Sequence, residues 1–378
     1  MKAKKKAPPQ NRFVVIMAGG RGERFWPVSR EKSPKQLITL LGSRSFLQQT
    51  YDRVLALVPN KNIIVVTNAT QAAQVAKQLP KLPKENIVAE PCGRDTCAAV
   101  TLGAAIVGHR STSGVMAVLP ADHVIPDEKK FQRTLADSFD LASRGQVIVT
   151  IGIKPSEPAT GYGYILKGKP LPPPKGVKAY KTAFNKVERF VEKPRLETAV
   201  EYVESGRYAW NAGMFIWSFV TITEALQKHQ PEMEAACHRW LEAAGSPTKL
   251  KRTLKKEYPE LRKVSIDYAL MEKVRNVVVA DGAFRWDDLG AWPALARHLK
   301  SDQAGNCAIG DLVQVDAARN IVFDARTKRR TPIALVGVKD TIVVQTDDAL
   351  MIADKSEAQK IKELVTVLGK KKAYQALT

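Results

Sequence analysis

Val14 to Gln36 reads VVIMAGGRGERFWPVSREKSPKQ. Within it stand three glycines, three arginines and two lysines, directly after a short apolar run. The run Phe13–Met17, FVVIM, reads as a strand buried on both faces, as in a parallel sheet. Gly19, Gly20 and Gly22 then let the backbone approach an anion and present its N–H groups, with Arg21, Arg24 and Lys35 close in sequence. A P-loop needs Lys and then Ser or Thr after its last glycine; Gly22 is followed by Glu23. The dinucleotide fingerprint needs a small residue where Phe25 stands. Two readings of the loop by itself remain open: a phosphate cradle of another kind, in which Arg24 and Lys35 reach a nucleoside triphosphate, or a surface turn with solvated cations.

The chain has 378 residues and a formal net charge of +21. Its charged and apolar fractions are those of a globular protein, and its length suits two domains or one large domain with an appendage. No apolar run is long enough for a membrane span, and MKAKKKAPPQNR has no apolar segment behind it, so it is not a secretory signal. The charge fits a basic surface or an anionic partner, either nucleic acid or a phosphorylated small molecule. Cys92, Cys97, Cys237 and Cys307 match no zinc or disulfide spacing, which predicts free thiols.

Further buried strands are predicted at Ile63–Val66, Val115–Leu119 and Val147–Ile153, with helices between them. Ser45 and Gln48 form a capping box ahead of one helix, whose apolar positions run to Val58, and Asp95 caps another. Such alternation predicts a parallel or mixed sheet covered on both faces, with ligands at the strands' carboxyl ends, hence in the loops after Met17 and Leu119. Lys167–Gly176, KGKPLPPPKG, is expected to be a loop. Beyond about residue 300 short strands alternate with turns and a helix over 355–368 ends the pattern, with no fixed-period repeat.

Several residues outside the loop have chemistry to offer. Asp122 in PADH follows a strand, where a carboxylate holds Mg²⁺ or caps a helix. Asp288 in WDDLG is a second carboxylate beside a glycine turn; Asp287 faces the other way if the segment is extended. Glu192 and Lys193 in FVEKP suit a sugar hydroxyl and a phosphate, or an exposed ion pair. Asn211 in WNAGMFIW offers a donor and an acceptor, or holds a turn. Gly163 in GYGYI admits a close approach, or marks a bulge. EPCGRDT, Glu90 to Thr96, lies ahead of a helix N-terminus. His123 is expected to be structural or to support a neighbouring site residue; a phosphorylated nucleophile would need no catalytic base, since a phosphate monoester with a second pKa near ~6 is already mostly ionised at neutral pH.

The order AGGRGER, WP, SPKQ, EPCGRDTCAAV, LPADHVI, GYGYI, FVEKP, WNAGMFIW, SIDYALMEK and WDDLGAW resembles the signature set of the sugar-1-phosphate nucleotidyltransferases, and more narrowly that of the mannose-1-phosphate guanylyltransferases. The resemblance spans Phe13 to about Trp292. It implies an α/β fold: a Rossmann-like, doubly wound mixed sheet over 13–299 after a basic disordered tail at 1–12. A small β-rich, partial β-helix-like domain with a terminal helix follows over 300–378. It implies transfer of GMP from GTP to mannose 1-phosphate, with Mg²⁺ on Asp122 and Asp288. By the same resemblance, Ala18, Gly19, Gly20, Gly22, Arg24, Glu90, Gly93 and Arg94 bind the nucleotide. Gly163, Glu192, Lys193 and Asn211 bind the sugar phosphate, and Arg24, Lys35 and Asp122 are the catalytic set.

The chain departs from that pattern in Asp95, where Asn is usual, in Cys97-Ala98, where Ala-Pro is usual, and in Phe25, where Leu is usual. The first two bear on the choice of base. The β-rich tail resembles that of single-function relatives in which it helps assemble a dimer, which implies a homodimer. The residues past Trp292 carry no histidine-rich metal motif, which predicts no isomerase activity. Free thiols predict a cytoplasmic protein, and the lack of a nucleic-acid motif and of an apolar span predicts neither a nucleic-acid nor a membrane partner. Three other readings stay open: the same chemistry with another sugar or nucleotide, a non-catalytic sugar-nucleotide sensor, and a nucleic-acid binder.

Overall fold

A computed structural model describes residues 11–328 and 331–378. The tail expected over 1–12 lies mostly outside these residues, but Arg12 already opens the first strand. The chain divides into two compact units. One holds the described residues up to Gly19 together with Gln49–Ala121 and Ile125–Trp286; the other holds Gly20–Gln48, Asp122–Val124 and Asp287–Thr378.

The first unit is built on nine strands: β1 Arg12–Ala18, β2 Ile63–Asn68, β3 Ile87–Glu90, β4 Val115–Pro120, β5 Ile148–Ile153, β6 Tyr164–Pro170, β7 Phe184–Val191, β8 Tyr208–Ser218 and β9 Val277–Asp281. Their order is β3-β2-β1-β4-β8-β5-β9-β7-β6, with β6 also pairing β8. β1 runs parallel to both β2 and β4, and Val14 pairs with Ile63 and with Ala117. Strands β4 and β5 meet β8 antiparallel, so the sheet is mixed.

All four strands expected from continuous apolar runs are present. Their side chains pack on both faces, and Val14, Val15, Ile64 and Val118 are fully buried. The Asp95–Arg110 helix is apolar nearly all round because it lies inside the core with Phe13, Val15 and Trp240. Gly103 in that helix leaves no room for a side chain, since a Cβ there would lie 2.7 Å from Val15.

Two expectations need correction. Lys167–Pro170 complete β6 rather than beginning a loop. β8 pairs only Tyr164–Leu166 of β6, and the register with β7 slips between Leu166 and Pro170, so the proline stands at the strand's end on an irregular ladder. The Asp95 side chain accepts from the adjacent Thr96 N at 2.8 Å instead of reaching the second or third helical amide. Asp95 has φ +65°, a left-handed conformation that asparagine tolerates more readily than most residues.

The second unit contains β10 Cys307–Ile309, β11 Leu312–Val315, β12 Ile321–Asp324, β13 Ile333–Val336, β14 Thr341–Gln345 and β15 Leu350–Asp354. β10, β12 and β14 stack in parallel, β15 closes on β14 antiparallel, and β11 pairs β13 in parallel. At the corner of the stack Asn320 Nδ2 donates to Asn306 Oδ1 at 3.0 Å, and Thr341 N donates to Asn320 Oδ1 at 3.0 Å.

The core of this unit includes residues from both ends of the sequence. Phe25, Trp26, Ile38 and Phe46 pack with Trp292, Phe323, Val344 and Ile361. The Phe25 and Trp292 ring centroids are 5.2 Å apart, a tilted aromatic pair worth ~0.5–1.5 kcal/mol beyond its buried area. The capping box forms as expected: Ser45 N donates to Gln48 Oε1 at 3.1 Å and Gln48 N to Ser45 Oγ at 3.2 Å. The helix it starts ends at Val54, short of Val58. The last helix, expected from residue 355, is α-helical over Ile361–Lys370 after a 3₁₀ stretch at Lys355–Lys360.

Candidate active site

In the second unit a cavity of about 320 Å³ is lined by Arg21, Gly22, Glu23, Arg24, Phe25, Lys35, Asp122, His123, Asp288, Gly290 and Lys362. The signature loop, the PADH segment and the WDDLG turn therefore converge there. Gly22 has φ +63°, and a Cβ on it would lie 2.6 Å from the Lys35 amide nitrogen. Only glycine fits where the loop folds back over the start of the Lys35–Leu37 turn. Gln36 Nε2 donates to Gly20 O at 3.0 Å and Ser29 Oγ to Gly22 O at 2.7 Å, which ties two of the loop's carbonyls to the protein's own side chains.

Lys35 is buried. Its ammonium donates to Asp122 Oδ2 at 2.9 Å and to the Asp288 carbonyl oxygen. Burial raises the Asp122 pKa, but the Lys35 ammonium and His123 more than offset it and hold the carboxyl below its ordinary value. His123 is itself buried, with Nε2 4.0 Å from Asp122 Oδ1. Arg24 is exposed on the cavity wall, while Arg21 lies 3.6 Å from Glu23.

Asp287 and Asp288 part company, as an extended segment requires. Asp287 is buried and accepts from Arg297 Nε at 2.8 Å and from Leu289 N at 2.8 Å, with His298 Nε2 2.9 Å away. Asp288 lines the cavity.

No cluster of three metal-ligating side chains exists among the described residues. Asp122 and Asp288 are two hard oxygen donors on one cavity that also carries the cations Arg24 and Lys35. Such a set suits Mg²⁺, which takes one or two carboxylates and completes its shell with phosphate oxygens and water.

In the first unit Ala18 closes β1, and its carbonyl accepts from Thr67 Oγ1 at 2.9 Å. A Cβ on Gly19 would lie 3.0 Å from Glu90 Oε2. Glu90 is buried and accepts a hydrogen bond from the Tyr258 hydroxyl. Burial pushes its carboxyl up to about 7 despite that bond, so it titrates near neutral pH. Arg94 is held by the Tyr258–Glu260 turn: its Nε donates to Tyr258 O at 3.4 Å and its Nη2 to Pro259 O. Gly93 is exposed, with open space where a Cβ would point. The Cys97 thiol is pushed up to about 12 by burial and is unreactive, and all four cysteines are free.

Also in the first unit, the expected sugar-phosphate residues come together. Asn211 N donates to Gly163 O at 2.8 Å. A Cβ on Gly163 would lie 2.5 Å from Glu192 Oε2, so the glycine keeps that carboxylate against the strand. Lys193, with φ +47°, holds its ammonium 3.3 Å from Glu192 Oε1 and is mostly exposed. The Asn211 amide is oriented by three partners. Its oxygen accepts from Thr150 Oγ1 at 3.2 Å and Gly213 N at 3.1 Å, and its nitrogen donates to Asp267 Oδ1 at 3.0 Å.

Asp267, at the start of a π-helical turn to Met271, was not singled out from the sequence. Burial and the nearby Glu192 charge push its carboxyl up to about 7. A carboxyl residue inside SIDYALMEK was the signal available; only the fold sets it beside Asn211.

The Nucleotidyl transferase family profile matches residues 13–304, and the MannoseP isomerase/GMP-like beta-helix domain profile matches 310–368. The chain is 37% identical over 357 residues to the mannose-1-phosphate guanylyltransferase of Escherichia coli K12, covering 93% of this chain and 72% of that protein. It is 38% identical over 366 residues to the Salmonella montevideo protein of the same name, covering 96% and 75%. A crystal structure from Thermus thermophilus, described as a mannose-1-phosphate geranyltransferase, superposes with a TM-score of 0.80 at 34% identity, over 95% of this chain and 99% of that one. By its sequence profile, its close relatives and its fold, the chain belongs to the nucleotidyl transferase family, in the group that includes the mannose-1-phosphate guanylyltransferases.

Proposed function

We propose that the protein transfers GMP from GTP to α-D-mannose 1-phosphate, giving GDP-mannose and pyrophosphate. The observation that carries this reading is the cavity in which Gly22, Arg24, Lys35, Asp122 and Asp288 meet. A glycine loop, two cations and two carboxylates supply what a triphosphate with a divalent ion requires. An oxygen of the sugar phosphate attacks the α-phosphorus in line; its bond to pyrophosphate breaks, and the electron pair leaves with pyrophosphate. No general base is needed, since the attacking phosphate is already ionised.

Arg24 and the loop amides neutralise charge on the triphosphate. Lys35 fixes Asp122 against the Asp288 turn. Asp122 and Asp288 would hold Mg²⁺, which when bound would supply neutralisation of the phosphates' charge. Glu192 and Asn211 bind sugar hydroxyls, Gly163 keeps the backbone close, and Lys193 binds the sugar's phosphate. Ala18, Gly19, Gly20, Glu90, Gly93 and Arg94 bind the nucleoside and its phosphates.

The outward-facing Val313, Val315 and Val336 on β11 and β13 form an exposed apolar strip that supports a homodimer. The family profiles support a boundary near residue 300. Among the described residues no helix is long and apolar enough to cross a membrane, and action in the cytoplasm fits the free thiols.

The test is pyrophosphate release with Mg²⁺, using four nucleoside triphosphates against mannose, glucose and fucose 1-phosphates. Turnover confined to GTP with mannose 1-phosphate supports the reading. Another productive pair keeps the chemistry and places the error near Asp95 or the sugar contacts. No turnover by folded protein overturns it.

A further inference from the structure

Lys362 lies far along the chain from every motif with phosphate chemistry, yet it lines the same cavity as Gly22, Arg24, Lys35, Asp122 and Asp288. Its position is fixed by its neighbour. Ile361 is 3% exposed and packs in the core with Phe25 and Trp26. One residue later the helix has turned by about 100°, so residue 362 leaves the core.

The segment that follows is tied back to the signature loop. Trp26 Nε1 donates to Leu377 O at 2.8 Å and Glu31 N donates to Thr378 O at 3.3 Å. Upstream, Arg30 Nη2 bonds Asp348 Oδ1 at 2.8 Å. The C-terminal helix is thus held to the loop that shapes the cavity.

The charges there are unequally committed. Lys35 is bound to Asp122 and to the Asp288 carbonyl, and Arg21 faces Glu23. Among the described residues, the lysines and arginines on the cavity that lack a carboxylate partner are Arg24 and Lys362. A triphosphate brings about four negative charges, and the leaving pyrophosphate concentrates them as the bond breaks.

We propose that Lys362 is a phosphate-binding residue supplied by the C-terminal helix, paired with the part of the nucleotide that departs as pyrophosphate. The inference rests on the triphosphate reading of this cavity. It makes the β-rich region a contributor to the reaction site.

The test compares wild type, Lys362→Ala, Lys362→Arg and, as a control on the same helix, Lys370→Ala. Forward and reverse kinetics give KM for GTP, pyrophosphate and the sugar phosphate, and thermal melting reports the fold. Loss of one charge-assisted contact should raise KM for GTP and for pyrophosphate by about 10-fold in Lys362→Ala. KM for mannose 1-phosphate and the melting temperature should stay unchanged, Arg should restore most of the loss, and Lys370→Ala should match wild type. Unchanged KM values, or an equal loss for all substrates with a lowered melting temperature, would overturn the proposal.

Calorimetric titration of inorganic pyrophosphate with Mg²⁺ separates the two readings. Wild type that binds pyrophosphate more tightly than Lys362→Ala, yet turns over no pair, keeps this inference and sinks the proposed reaction. Equal binding by the two proteins sinks the inference alone.

Discussion

Val124 and Asp287 exchange two backbone hydrogen bonds, Val124 N to Asp287 O at 2.9 Å and Asp287 N to Val124 O at 3.1 Å. This isolated antiparallel bridge pins the segment carrying Asp122 to the turn carrying Asp288. Lys35 then spans the same two segments through its ammonium. Two carboxylates that would repel each other are held on one cavity by a backbone clamp and a buried cation.

The two neighbouring aspartates should respond differently to substitution. Asp288→Asn keeps the shape and removes the charge proposed to hold the metal, so kcat should fall by at least ~100-fold with little change in melting temperature. Asp287→Ala strands Arg297 and His298 and loosens the turn. It should cost about 2–3 kcal/mol in denaturant unfolding, with the activity loss following from misplacement of Asp288. Equal stability of the two variants would refute this division.

Lys35→Met should lower activity by ~100-fold or more and weaken folding by about 1–2 kcal/mol. The stability loss is kept modest because Asp122 remains partly open to water. Added Mg²⁺ should recover part of the stability, since the ion replaces the missing positive charge beside Asp122. Melting curves with and without Mg²⁺ check this.

Gly22 and Gly93 make a pair of controls. Gly22→Ala forces an alanine into φ +63° and against the Lys35 backbone, which should cost roughly 1–3 kcal/mol and disable the cavity. Gly93→Ala meets nothing within 4 Å and should melt like wild type. A change in KM for GTP without a change in melting would then report ligand contact at Gly93.

Glu90 and Asp267 are both pushed up to about 7. The folded protein therefore holds two protons that the unfolded chain releases near pH ~4. The stability linked to these groups is greatest at low pH and falls as pH rises from ~4 to ~7, then levels off. Denaturant midpoints at pH 5 and 7.5 should show this decline on the background of the other groups. It should be smaller in Glu90→Gln and Asp267→Asn; an unchanged slope in both variants would refute the assignment.

Much of the first unit was legible because its strands announce themselves. FVVIM, IIVV and VMAVL are continuous apolar runs, and a strand buried on both faces has no other way to be written. The capping box at Ser45 was equally plain, since its two bonds are local. The β-rich region was harder. Cys307 pairs with Ile321 and Ile321 with Ile342, separations of 14 and 21 residues, so the stack has no constant period to detect.

The sequence by itself determined the residue types of the chemistry: glycines where backbone must approach, cations for phosphate, and carboxylates at strand ends. Those choices follow from side-chain charge and from φ freedom, which are local properties. Tertiary structure decided which of them share a cavity. It brought Lys35, Asp122 and Asp288 into one contact set, committed Arg94 to the Tyr258 turn, added Asp267 to Asn211, and delivered Lys362 from the C-terminal helix. Such pairings depend on which apolar surfaces bury one another, as Phe25 does with Ile361, and chain position does not encode that.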